Sequence, residues 1–196
     1  MKRLISAFVL VLLVAVPAAA DIWQIDQAHS RAMFTVKHLG IANIRGDFGG
    51  VTGTVDFDGK NVSTAKIKAV IDVNSITTRV APRDEHLKTA DFFDAAKHPT
   101  MTFVSTSIVA AGKGKYKMTG NLTLRGVTKA VTLDLDQPAS PVTDHTGTVK
   151  MGASASGSIN RKDFGVNYHQ VLDNGILGVD DIVHIQLDIE LISPKK

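Results

Sequence analysis

Apolar and polar residues alternate along most of the chain, as in strands that bury one face. The alternation is most regular near the end of the chain, where every second residue is apolar: Val183, Ile185, Leu187, Ile189 and Leu191. Residues 65–73 show the same period of two. Roughly eight or nine such segments are separated by short connections rich in turn-forming residues. This pattern predicts an antiparallel all-β fold.

An antiparallel barrel with an apolar interior is favoured over a sandwich. The predicted strands are about ten residues long, as in up-and-down barrels, and the small residues from Gly152 to Gly157 suit a strand that bends or leaves room beside it. A barrel of the outer membrane is the rival interpretation, and it would carry girdles of aromatic residues. The chain has only one Trp and two Tyr, and charged residues lie opposite the apolar faces. A barrel in water therefore fits the pattern better.

One stretch, residues 83–103, breaks the alternation and predicts a short helix near residues 82–94. Pro82 fits the first helical turn, and Asp84 and Glu85 follow where carboxylates face the positive end of the helix dipole. The apolar side of this segment consists of Leu87, Phe92 and Phe93. Because a helix of about two turns is marginally stable alone, we expect it to dock on the barrel and partly close one end.

The first twenty residues have the features of a cleavable signal peptide. A basic pair precedes a short apolar run, and Ala18 and Ala20 fit a cleavage site before Asp21. An uncleaved membrane anchor is the alternative. We expect one domain over residues 21–196, located in the periplasm or secreted. The chain has no cysteine, so the sequence predicts neither a disulfide framework nor a lipid-modified amino terminus.

The charge of the chain does not indicate nucleic acid as a partner. The full chain has 22 basic and 19 acidic residues. Cleavage after residue 20 removes Lys2 and Arg3, which leaves 20 basic residues and a net charge of +1. The remaining lysines are spread out, without interleaved aromatic residues.

Seven histidines are the candidates for metal binding or catalysis. The nearest groupings in sequence are His29 with His38 and Asp84 with His86, and neither has the spacing of a dense ligand motif such as H-E-x-x-H. The sequence contains no nucleophile elbow, phosphate loop or dinucleotide fingerprint, so we expect a protein without a cofactor that is not an enzyme. A metal-binding protein or enzyme that uses histidines such as His29 and His38 remains the alternative.

Arg83 and Arg161 lie in motifs where charged and aromatic residues meet. A guanidinium at a barrel mouth can hold an anionic head group. Each arginine can instead pair with a nearby carboxylate and fix a loop, and this interpretation is slightly favoured for both.

Six segments in order resemble the YceI-like, polyisoprenoid-binding family of secreted bacterial proteins. They are DQAHS at 26–30, FTVKHLG at 34–40, RGDFGG at 45–50, RDEHLKTADFFDAAKHPTMTF at 83–103, GNLTLRGVTKAV at 120–131 and NRKDFG at 160–165. The resemblance implies an eight-stranded, lipocalin-like antiparallel barrel whose interior holds a long isoprenoid or fatty-acid-like lipid, with no catalytic residues. In one departure, Ala153 follows Gly152 where the family usually has an aromatic residue, which predicts a wider or longer cavity there.

The expected ligand-binding residues combine the matched motif positions with the apolar candidates for the barrel wall and lid. They are Phe34, Val36, His38, Phe48, Phe57, Arg83, His86, Leu87, Phe92, Phe93, Phe103, Arg161 and Phe164. Some of these residues serve the fold alone, and the sequence does not separate the two roles. We further expect that the protein is a monomer or a homodimer and that it contacts a membrane transiently. An interaction module that presents the barrel exterior to a partner is a third interpretation.

Overall fold

The computed structural model describes residues 21–172, 175 and 177–193, so the predicted signal peptide lies outside the described residues. The described chain is almost entirely β-structure with one short α-helix, α1. The strands are β1 Asp21–Ile25, β2 Arg31–His38, β3 Ala42–Phe48, β4 Val51–Phe57, β5 Lys66–Asp72, β6 Ile76–Thr77, β7 Thr100–Ala110, β8 Lys115–Leu124, β9 Val127–Asp136, β10 Val142–Thr143, β11 Val149–Asn160 and β12 Val179–Ile192, and α1 is Ala81–Lys88.

These strands form a closed, eight-stranded antiparallel barrel. Three pairs of strands that follow each other in sequence, β1 with β2, β3 with β4 and β5 with β6, each act as one interrupted strand. The remaining positions are filled by β7, β8, β9, β11 and β12, and the ring closes because β12 pairs both with β11 and with β1 and β2. The predicted fold class is therefore confirmed. We call the end of the barrel where β12 begins the upper end, and the opposite end the lower end.

Two glycines leave room for aromatic rings on the inside of the wall. Gly46 is the cross-strand partner of Phe34, and a Cβ atom on Gly46 would come within 2.5 Å of the Phe34 ring. A Cβ atom on Gly120 would come within 2.3 Å of the Phe103 ring. In each case the missing side chain makes room for a large ring inside the barrel, a device that stabilises glycines in sheets.

The helical segment covers the upper end. Helix α1 has Pro82 in its first turn, as predicted, but it ends at Lys88 and is followed by turns instead of continuing to residue 94. The helix stops because Thr89 adopts an extended conformation (φ −72°, ψ 174°), and its side chain and main-chain N–H both donate to the His86 carbonyl. Within the described chain, no helix combines the length and apolar character that crossing a bilayer requires.

Candidate functional site

An apolar cavity of about 260 Å³ lies inside the barrel and reaches from the lower end to the helical segment that covers the upper end. All eight strand positions contribute to its lining, because every second residue of each strand points inward. Among the described residues that line it, Ser154 and Arg161 are the two with polar side chains. The cavity therefore suits an apolar ligand, since a buried polar group would find few hydrogen-bond partners there.

Nine of the thirteen residues predicted to bind a ligand line this cavity. They are Phe34, Val36, Phe48, Phe57, Leu87, Phe92, Phe93, Phe103 and Arg161. Phe34, Phe48, Phe57 and Phe103 lie on strands, and Phe92 and Phe93 lie in the turns after α1. Their contact with a ligand stays a prediction.

The other four predicted residues do not line the cavity. His38 is exposed at the end of β2, and Arg83 lines a separate groove on the outer wall. Phe164, with 1% of its surface exposed, packs into the protein core instead of the cavity. His86 bonds Asp91 through Nε2 at 2.8 Å and lies outside the cavity lining.

Aromatic contacts hold the lid in place over the cavity. The ring of Phe92 stacks on Tyr168 with centroids 4.7 Å apart, and His86 meets both rings edge-on at 5.1 and 5.4 Å. Phe93 meets Phe48 of the wall edge-on at 5.6 Å. We define the lid as α1 and the turns up to His98. Tyr168 was missed by the sequence analysis, and its only signal was an aromatic residue four positions after Phe164.

Arg161 fixes the loop at the upper end next to the lid. Only 5% of its surface is exposed, and its guanidinium donates to the carbonyl oxygens of Val166, Val179 and Asp180 at 2.7 to 3.1 Å and to a carboxylate oxygen of Asp181 at 3.1 Å. Burial lowers the pKa of this guanidinium, and Asp181 and Asp180 oppose that shift. The bond to Asp181 is the predicted pairing with a carboxylate. Together, the four bonds use all three guanidinium nitrogens.

The predicted histidine pair is not brought together. His29 precedes β2 and His38 ends it, so about 25 Å of extended strand lies between them. His29 instead approaches Asp26 at 2.8 Å and Glu190 at 3.7 Å, and potential ligand atoms of these three residues lie within 4.8 Å of one another.

The ammonium group of Lys150 already supplies a positive charge to this group of residues. It lies 2.7 Å from Glu190 and 3.6 Å from Asp26. The hydrogen bond to Glu190 raises the pKa of Lys150. A metal ion would have to compete with this lysine, and metal analysis of the dialysed protein tests whether one does.

Comparisons with known proteins agree with this architecture. The sequence model of the YceI-like domain matches residues 23–191. A UPF0312 protein of Vibrio parahaemolyticus is 34% identical over 194 residues, which covers 97% of this chain and 98% of the relative. The crystal structure of the Campylobacter jejuni YCEI protein is similar with a TM-score of 0.68 and 32% identity, over 82% of this chain and 90% of the other.

A more distant structure shares the fold. It is a polyisoprenoid-binding domain from Saccharophagus degradans implicated in plant cell wall breakdown, with a TM-score of 0.66 and 14% identity, over 89% of this chain and 99% of the other. At that identity the likeness concerns the barrel alone. The match of the domain model over almost all described residues, together with the relatives above 30% identity, shows that the chain belongs to the YceI-like family.

Proposed function

We propose that this protein binds a polyisoprenoid or a similar long-chain lipid in the barrel cavity and carries it through the periplasm or outside the cell. The observation that carries the proposal is the cavity itself, which runs the length of the barrel and has an almost wholly apolar lining. Membership of the YceI-like family and the polyisoprenoid-binding domain of the same fold support the class of ligand. The signal-peptide pattern of residues 1–20 supports the location.

Burial of the chain is the source of affinity in this mechanism. Each buried methylene contributes about 0.8 kcal/mol, so several isoprenoid units supply ample affinity without a specific polar contact. The lid then shields the end of the chain from water, since Leu87, Phe92 and Phe93 all face the cavity. No bond is made or broken, and no catalytic residue is assigned.

Native mass spectrometry tests the proposal directly. Protein purified from its own host is measured before and after organic extraction, and the extract is analysed for lipid. We expect a bound apolar molecule that the extraction removes and that the emptied protein takes up again. A protein that carries no lipid and binds none when offered long-chain prenyl alcohols or fatty acids contradicts the proposal.

A pair of variants separates ligand binding from support of the fold. Replacement of Phe92 and Phe93 by alanine removes two rings that face the cavity, so both lipid retention and thermal stability are expected to fall. Phe164→Leu is the matched control, because Phe164 is fully buried but does not line the cavity. It is expected to lower stability while lipid retention is kept. Loss of stability alone in the Phe92 and Phe93 variant would make the lid a plug without a part in binding.

A further inference from the structure

A second depression, with a volume of about 610 Å³, lies on the outer wall of the barrel. Residues of β2, β3, β11 and β12 line it, and the stretch from Thr77 to Arg83, which ends in the first turn of α1, forms its rim. We call it the arginine groove, because Arg45, Arg79 and Arg83 all line it. No function proposed so far uses these three side chains together.

The arginine groove carries an excess of positive charge. The lining holds three arginines and one carboxylate, Asp47. Asp84, which accepts hydrogen bonds from Thr78 of the rim, lies close enough to Arg83 for their charges to interact, so these five residues have a formal net charge of +1. Asp47 lies 3.8 Å from a further arginine, Arg31. Within the described chain, the guanidinium groups of Arg45 and Arg79 have neither an ion pair nor a hydrogen bond. Two cations thus lie in one concave surface without a protein partner, where they attract an anion.

The third arginine is held in position by the rim. Arg83 donates from Nε to the Thr78 hydroxyl at 2.7 Å and from Nη2 to the Thr78 carbonyl at 3.1 Å. Thr78 is itself buried and donates from its main-chain N–H to Asp84 at 2.7 Å. Among the described residues, none accepts a hydrogen bond from Nη1 of Arg83. A guanidinium that is already oriented loses less entropy when it binds an oxyanion.

The groove adjoins the lipid cavity through shared residues. Met33, Phe34 and Ile185 line both spaces. Strand β3 has β2 on one side and the short β6 on the other. It pairs with β6 only at Asp47 and Phe48, so in the described structure residues 42–46 of β3 have no strand neighbour on that second side. The Phe34 ring therefore lies between the apolar cavity and the cationic groove.

We propose that the arginine groove binds an oxyanion of the phosphate class, with Arg45, Arg79 and Arg83 as its ligands. The anion is either the head group of a lipid whose chain lies in the cavity, or a free phosphate or diphosphate. The first source rests on the proposed lipid-binding function, and the second does not. Guanidinium groups suit this chemistry because they form paired hydrogen bonds with phosphate oxygens.

Calorimetric titration with inorganic diphosphate tests the groove without any lipid. The Arg45→Gln, Arg79→Gln double variant removes two exposed cations whose guanidinium groups have neither a hydrogen bond nor an ion pair in the described chain. We expect its affinity for diphosphate to fall by about tenfold or more, which corresponds to the loss of at least about one charge-assisted contact. The Lys113→Gln, Lys129→Gln double variant is the matched control, since it also removes two exposed cations and both lie outside the groove. Absence of binding to the original protein, or an equal affinity in the arginine double variant, overturns the proposal.

A second titration distinguishes the sources of the anion. It compares geranylgeranyl phosphate with geranylgeraniol, which share one long chain and differ in the head group. A preference for the phosphate that disappears in the arginine double variant supports a lipid head group in the groove. Equal binding of both lipids, with diphosphate binding that still depends on the arginines, supports a free anion. If neither lipid binds, the proposed lipid-binding function fails. The diphosphate titration still decides whether the groove binds an anion.

Discussion

Arg125 donates a hydrogen bond of 2.6 Å from Nη1 to the main-chain oxygen of Phe92, and this bond ties the β8–β9 hairpin to the lid. The hairpin has a two-residue turn in which Arg125 and Gly126 both have positive φ, at 50° and 75°. That geometry matches the twist of the flanking strands and directs the turn toward the lid. His98 packs closely on the same turn, since a Cβ atom on Gly126 would come within 2.8 Å of its ring. The lid is therefore anchored to the barrel by polar contacts as well as by aromatic packing.

Arg125→Met is expected to destabilise the protein by about 1 to 3 kcal/mol, the usual range for a hydrogen bond from a charged group that leaves a partly buried carbonyl unpaired. Methionine keeps most of the side-chain length, and the positive φ costs the same for either residue. Denaturation by urea measures the difference. Lys129→Met on the neighbouring strand is the control, with an expected effect within about 0.5 kcal/mol. Equal effects of the two substitutions would show that the bond to Phe92 contributes nothing.

Arg161→Lys is expected to lower stability strongly although it keeps the positive charge. The guanidinium reaches three carbonyl oxygens and Asp181 at once, and an ammonium group cannot reproduce that planar fork. A loss of about 3 kcal/mol or more follows, because a buried charge would be left with incomplete partners. The neighbouring Lys162→Gln removes only an exposed partner of Asp181, so about 1 kcal/mol or less is expected. Thermal and urea denaturation measure the stability of both variants. Similarly small losses in the two would show that the contacts of Arg161 can be replaced like those of a surface residue.

Acid should remove a stabilising contribution from Asp26. The hydrogen bond from His29 lowers the pKa of Asp26 below its usual value against the opposing effect of burial, and the Ala28 N–H and Lys150 lower it further. The folded protein therefore binds this proton less readily than the unfolded chain. The contribution is present above about pH 4 and disappears as the pH falls through the folded pKa.

The stability of Asp26→Asn relative to the original protein, measured by urea denaturation at several pH values, checks this expectation. We expect the original protein to be more stable at neutral pH and the difference to shrink below about pH 4. Asp163→Asn is the control, because Asp163 is exposed and its carboxylate makes no ion pair or hydrogen bond in the described chain. A difference between original protein and Asp26→Asn that does not change with pH would exclude the proposed role of the carboxylate.

The barrel could be predicted from the sequence because each strand carries its own evidence. The alternation from Val183 to Leu191 specifies a strand and also the face that points inward, and the cavity lining follows from it. The start of α1 was predicted from Pro82, a local signal, whereas its end at Lys88 was not, because the extended conformation of Thr89 has no clear signature.

The parts that could not be predicted depend on contacts between distant segments. Phe92 and Phe164 are the same residue type in similar motifs, yet only Phe92 lines the cavity. The bond from Arg125 to Phe92 spans 33 positions, and the stack of Phe92 on Tyr168 joins two loops. The arginine groove likewise combines Arg45 of β3 with the rim residues Arg79 and Arg83, which no spacing in the sequence relates.

Ala153 offers a test of cavity length that does not disturb the fold. It lines the cavity on β11, at the position where the resemblance to the family leads us to expect an aromatic residue. A phenylalanine at position 153 would therefore extend into the cavity and occupy volume that we assign to the ligand chain.

Ala153→Phe is accordingly expected to weaken binding of geranylgeraniol by about tenfold or more, which is the equivalent of losing about two buried methylenes, and to leave binding of the shorter geraniol nearly unchanged. Stability should stay the same or rise, because the ring fills empty apolar space. Ala130→Phe, at an exposed position of β9, is the matched control and should change neither affinity. Fluorescence competition with an apolar dye measures both alcohols. Unchanged binding of the long alcohol in Ala153→Phe would place the ligand chain away from β11, and an equal loss for both alcohols would mean that the substitution distorts the barrel instead of shortening its cavity.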